Sequence, residues 1–374
     1  FNGLLTYSRG EDANSVSITA RGYHGTWHSS DQIAENAVLL VGFFGTLNPT
    51  DGGHSQRYSL QAEWHRQDSD SESKIAAYGF YYDLDLFSDF TYYLDDANKG
   101  DQFEQRDRRW VAGLDAHHTI FSQWFGRKVE NTFGLQARND WIHNGLFQSE
   151  DRVRVDKTDS STGNTLPATT QADLLTDTQP SFYAENKIQW AEKFRSAAAL
   201  RGDLEHFEVT SLVTSANSGT ANKLLPSPKV SLALGPWSNT ELYAQGGFSF
   251  HSNDGRGTTQ TVEPVSGENP YPNTPATPIP PLIPTKGGEI GVRTLAVPHL
   301  QSTLSLWYLH SQSELQQSGD TGGTTASRQP SNRYGFELAN YYTPREYLAL
   351  DVDLANSKAL FTTIDEDDAA PNGA

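Results

Sequence analysis

The connections between the extended segments of this sequence alternate in length, and that alternation restricts the fold more than any motif does. Residues 192–193, 235–239, 296–299 and 343–345 read as tight turns, while 142–178, 209–227, 251–285 and 312–331 are long and rich in Ser, Thr, Gly, Asn and Pro. A sheet connected in this way has two unlike ends. Soluble sandwiches mix loop lengths at both ends, whereas barrels that cross an outer membrane carry short turns on one side and long loops on the other.

The segments between these connections show a two-residue period. In residues 286–310, Ile290, Val292 and Thr294 fall on one face of a strand and Glu289, Gly291 and Arg293 on the other, because successive side chains point oppositely. After a break at Pro298, Leu304, Leu306 and Tyr308 oppose Thr303 and Ser305, with Trp307 and Leu309 off pattern near the end. The same alternation marks 15–27, 56–65, 73–82, 106–119, 128–139, 179–190, 194–207, 229–234, 240–250, 332–342 and 346–358. In the last of these, Leu348, Leu350, Val352 and Leu354 form the apolar face. With weaker segments near Leu4 and Ala37 the count is about 14 or 15 strands, most of them close to the roughly 10 residues of a tilted spanning strand. Residues 185–207 contain much Ala, Glu, Lys and Leu and compete as a helix, but Phe194, Ala198, Leu200 and Leu204 keep a strand-like pattern around a turn at Glu192 and Lys193. The fold class expected is all-β, an antiparallel transmembrane β-barrel, in one domain over 1–374.

Composition is compatible with that class. Hydrophobic residues make up 36% and the mean hydropathy is −0.60, values that a spanning strand allows because only alternate residues meet lipid. The 16 Tyr, 18 Phe and 8 Trp supply the interfacial girdles such barrels carry. The longest apolar run, 37–45, is too short for a transmembrane helix of about 20 residues. With no Met and no leader, the stretch reads as an interior piece of a longer reading frame. Absence of Cys excludes disulfides and thiolate metal sites, and a net charge of −18 leaves no basic face for nucleic acid.

The residues point to no catalytic chemistry. His117 and His118 are adjacent, so on a strand they face opposite ways and cannot share a metal. Asp95, Asp96, Asn98 and Asp101 approach a calcium loop, but the spacing puts Gly100 where a ligand belongs. Nucleophile elbow, phosphate loop and metalloprotease helix patterns do not occur, so neither enzyme activity nor a cofactor is expected.

Six stretches remain to be placed: DQFEQRDRR at 101–109, YAENKIQW at 183–190 with LRGD at 200–203, PSPKVSLAL at 226–234, LYAQGGFSFH at 242–251, LIPTKGGEIGVR at 282–293 and SNRYGFEL at 331–338. Together they resemble the TonB-dependent receptors of Gram-negative outer membranes. Each is a short strand pattern, and their order and spacing carry the likeness along most of the chain. The resemblance implies a barrel of 22 strands closed by an N-terminal plug. By that measure the stretch is incomplete at both ends: it contains no plug or energy-coupling box, and 365–374, DEDDAAPNGA, lacks the family's final strands.

The function implied is TonB-energised uptake of a scarce ligand, a ferric siderophore, across the outer membrane of a Gram-negative bacterium. The implied partners are outer-membrane lipid, the inner-membrane TonB complex acting through the plug, and the small ligand, with the protein a monomer. Ligand candidates chosen by position are Tyr92, Tyr93, Trp141, His143 and Tyr271, aromatic or imidazole groups in or beside long loops; interfacial anchoring is the competing role for all five. A passive porin-like or structural barrel and a secreted glycan-binding β-protein remain alternatives at this point.

Overall fold

The computed structural model describes residues 1–29, 32–267, 269–317, 324–327 and 329–362. The acidic tail 365–374 and the middle of the 312–331 connection lie outside the described residues. Fourteen strands follow one another in one antiparallel sheet, each paired with the next in sequence. They are β1 (Asn2–Glu11), β2 (Asn14–His28), β3 (Gly52–Gln67), β4 (Ser71–Ser88), β5 (Phe103–Trp124), β6 (Arg127–Glu150) and β7 (Thr169–Ala191). Then come β8 (Phe194–Ser211), β9 (Gly219–Trp237), β10 (Thr240–Ser252), β11 (Leu282–Thr294), β12 (Leu300–Ser311), β13 (Ser331–Arg345) and β14 (Leu348–Phe361).

The connections alternate without exception. Every odd-to-even strand junction is a turn of at most five residues, and every even-to-odd junction is longer. Local backbone chemistry makes the short ones: Ser238 and Asn239 both take positive φ, 47° and 62°, as a type I′ hairpin turn demands. The helix alternative for 185–207 is resolved as the β7–β8 hairpin, turning at Glu192 and Lys193 as the alternation predicts.

Two expectations are corrected. The apolar run 37–45 is not a strand but a short helical arch, Glu35–Ala37 and Val38–Val41. It offers no polar alternate residues to sort between two faces, and Gly42 at φ 82° ends it. The loops proper are also shorter than expected: the ladder persists to Glu150 and resumes at Thr169, persists to Ser211 and resumes at Gly219, and persists to Ser252 and resumes at Leu282. Above the bilayer both strand faces meet water, so the hydropathy alternation fades while the hydrogen-bonded ladder continues.

The outer face is the apolar one. Ile18, Leu60, Ile290, Leu306 and Leu350 are all exposed on it, where water would penalise them and lipid does not. Its boundary is drawn by a cross-strand row, Tyr58, Tyr81, Trp110 and Trp141, each partnered with the next, with the Tyr81 and Trp110 rings 5.0 Å apart. At the short-turn end, Trp124, Phe125, Trp190, Trp237 and Tyr347 are exposed. From Trp110 to Trp124 the strand rises about 47 Å at about 3.4 Å per residue, or about 35 Å of height at a tilt near 40°. That matches a hydrocarbon core of about 30 Å with interfacial margins.

Candidate functional site

The inner face of β5–β8 is a wall of paired charges. Arg138 donates to Asp140 at 2.6 and 2.7 Å, Arg109 bonds Asp107, and Arg201 donates to Gln136 at 2.6 Å, Ser181 at 2.7 Å and Asp203 at 2.8 Å. The Gln179 amide donates to both Asp177 at 2.7 Å and Glu205 at 3.0 Å. Charges at membrane depth are tolerable only when paired or wet, so this wall faces a polar lumen. Toward the long-loop end it gives way to a small apolar patch, Ile142, Leu175, Phe207 and Val209. The β10–β11 loop folds onto that patch. A side chain at Gly255 would put its first carbon 2.5 Å from Leu175 and 2.7 Å from Phe207, so glycine is what lets the loop enter the mouth.

Above the mouth the loops interlock around Gln102. Its amide donates to Thr50 at 2.7 Å and Asp51 at 2.9 Å in the β2–β3 loop, and its side-chain carbonyl accepts from Ser149 at 3.1 Å and from the Arg152 N–H at 2.9 Å. The ammonium of Lys157, 2% exposed, donates to the Gln102 carbonyl at 2.7 Å. The carboxylates that resembled a calcium loop are occupied with backbone: Asp101 accepts the N–H groups of Leu94, Asp95 and Asp96, and Asp96 those of Asn98, Lys99 and Thr158. Burial works to raise the Asp96 carboxyl, but the three N–H donors outweigh it and hold it below the usual carboxylate range. The β10–β11 loop joins this cluster through Asn164, whose amide donates to the Pro270 carbonyl at 3.1 Å.

The five candidate residues separate into two groups. Tyr92, Tyr93 and Tyr271 lie in the interlocked loops; Tyr92 holds its neighbour loop by donating to the Gln32 carbonyl at 2.7 Å, and Tyr93 and Tyr271 are exposed. Trp141 and His143 were expected at the edge of a loop and instead sit well inside β6, on its outer face. Trp141 ends the aromatic row, and His143 falls in the next row out, Gln56, Asp83, Arg108 and His143, where Arg108 meets Asp83 at 3.3 Å. The structure does not bring them to the three tyrosines. The roles of Gln102, Arg152 and Lys157 were missed in the sequence: Gln102 lies in the segment 101–109 that carries the resemblance, but nothing there marks it as the residue that joins three loops, and Arg152 and Lys157 stand in a polar connection without a period.

The chain matches the family model described as TonB-dependent receptor-like β-barrel over residues 1–374. Among solved structures it resembles the unliganded ferric citrate transporter FecA, at 13% identity and TM-score 0.72, over 96% of this chain and 51% of that one. It also resembles two proteins from Acinetobacter baumannii. BauA, the ferric preacinetobactin receptor, is 14% identical with TM-score 0.69 over 98% and 55%; the siderophore receptor PiuA is 13% identical with TM-score 0.71 over 95% and 56%. No curated protein sequence matches. The chain thus spans about half the length of these solved relatives. It belongs to the TonB-dependent receptor β-barrel family of the Gram-negative outer membrane.

Proposed function

We propose that this chain is barrel wall and outer vestibule of a receptor for a ferric siderophore, energised by TonB. The observation that supports the reading is the interlocked loop cluster: Tyr92 and Tyr93 lie in one of its loops and Tyr271 in another, which is tied to the cluster through Asn164 and Pro270, beyond a lumen lined with paired charges. Flat phenol rings on a braced scaffold suit a rigid, aromatic, hydrogen-bonding ligand, since little side-chain entropy remains to be lost on binding. Trp141 and His143 take the other role, at the membrane boundary.

The test is uptake of labelled ferric siderophores by a receptor-deficient strain carrying the full-length gene, with and without TonB. Uptake that needs TonB is expected. Tyr93→Ala and Tyr271→Ala should raise the half-saturating concentration about tenfold, the scale of an aromatic contact at a binding surface, while Trp141→Phe should leave it unchanged. Uptake indifferent to TonB would favour the passive barrel instead.

A further inference from the structure

The outer face carries a polar strip where lipid should be met. Arg66, Ser73 and His118 are consecutive cross-strand partners on β3, β4 and β5, followed by Phe133 on β6. They share the face of Trp64 and Ile75. Ser73 and His118 bond each other, oxygen to Nδ1, at 2.8 Å. Arg66 is more than half exposed and uses only its Nε, on Asp68 at 3.1 Å. The remaining guanidinium N–H groups and the His118 Nε2 have no protein partner among the described residues.

Depth gives this strip its meaning. His118 lies eight residues beyond Trp110 along β5, about 27 Å of strand and about 20 Å of height at a tilt near 40°. Trp124 at the short-turn boundary lies about 15 Å further down, so His118 itself stands inside the apolar band, but Arg66 and Ser73 flank the β3–β4 turn at 68–70. From there a long side chain can reach toward the glycerol esters and phosphates of the leaflet on the short-turn side. A guanidinium and an imidazole left to hydrocarbon would be costly there, and a phosphate would satisfy both.

A groove of about 930 Å³ on the same face begins at this strip, since Ser73 and His118 line it. Its sides are Trp64, Phe133, Phe182 and Leu200, and it crosses Ala184 and Gly202; at Gly202 nothing stands within 4 Å of the position a side chain's first carbon would take. The bare floor between bulky sides has the form of an acyl-chain channel.

We propose that Arg66, Ser73 and His118 bind the phosphate of one phospholipid from the periplasmic leaflet, with an acyl chain lying in the Gly202 groove. Asp68 keeps Arg66 extended along the turn and tempers its charge, which favours a headgroup that also carries an amine, such as phosphatidylethanolamine. The site is independent of the ligand vestibule, which lies at the other end of the strands.

The experiment is native mass spectrometry and lipid extraction of the full-length receptor, purified in mild detergent and then washed. Wild type should keep about one phospholipid per barrel after free lipid is gone. Arg66→Gln with His118→Gln should lower that occupancy at least fivefold, and Gly202→Phe should lower it as much by filling the groove. Arg154→Gln, at the long-loop end, should not change it. All variants should keep the heat-sensitive gel mobility of a folded barrel, which separates loss of lipid from loss of fold. Equal occupancy in wild type and both variants overturns the proposal, and so does a retained lipid that proves to be lipopolysaccharide.

Discussion

Gln102 ties together the β2–β3, β4–β5 and β6–β7 connections with every polar atom of its side chain used, and Lys157 is buried against its carbonyl. Burial pushes the Lys157 ammonium from 10.5 down to about 8, against the attraction of Asp101, Asp89, Asp96 and Glu150. The sign of the consequence follows from proton counting. Between pH 8 and 10.5 the opened loop holds a proton that the closed loop has shed, so the closed state gains stability as pH rises through that window, by at most about 3 kcal/mol. Below pH 8 both states are protonated and the penalty is constant. Proteinase K should therefore cut the outer loops of the folded, full-length receptor more slowly at pH 9.5 than at 7.5, relative to Lys157→Met. Matched rates for the two proteins at both pH values would remove the buried-ammonium account. None of this was legible in the sequence, because the Gln102 partners stand 47 to 55 residues away and a polar residue in a loop carries no period that would point to them.

At the level of the strand, the alternation was legible where one face meets lipid and illegible where both meet water. The β11–β12 pair was read correctly to its faces: Ile290 and Leu306 are cross-strand partners on the exposed apolar side, and Glu289 and Trp307 partners on the inner side. By contrast, the upper halves of β6 and β7 were mistaken for loop, which is why Trp141 and His143 were expected in the wrong setting. The two faces should answer oppositely to charge. Ile290→Arg puts a guanidinium into lipid and should cost about 2 to 4 kcal/mol if it lies near the bilayer midplane. Glu289→Gln keeps the partners Tyr243 and Gln245 within reach and should cost about 1 kcal/mol. Urea unfolding of the full-length receptor in phospholipid vesicles measures both, and midpoints shifted equally would mean that the face assignment is wrong.

For the whole molecule, the alternation of connection lengths was the most reliable signal, because it depends on neither hydropathy nor propensity. A meander of consecutive antiparallel strands places its odd-to-even turns at one end and its even-to-odd loops at the other by geometry alone, and the fourteen strands obey this throughout. The family fixes which end is which, with short turns in the periplasm and long loops outside. The β10–β11 loop, entering the lumen mouth at Gly255 and touching the β6–β7 loop at Pro270, must then be reached from the medium. Residues 275–281 lie at its return limb and contain four prolines that leave few backbone donors to disturb. An epitope inserted there in the full-length receptor should be stained on intact cells, whereas one inserted at Ala296 should be stained only after the outer membrane is permeabilised. The paired design separates a wrong orientation, in which the two results exchange, from an insertion that blocks assembly, in which neither protein shows heat-modifiable migration. An exchange of the two staining patterns would reverse the barrel in the membrane and move Tyr92, Tyr93 and Tyr271 to the periplasmic side, which would overturn the proposal that they meet a ligand from outside.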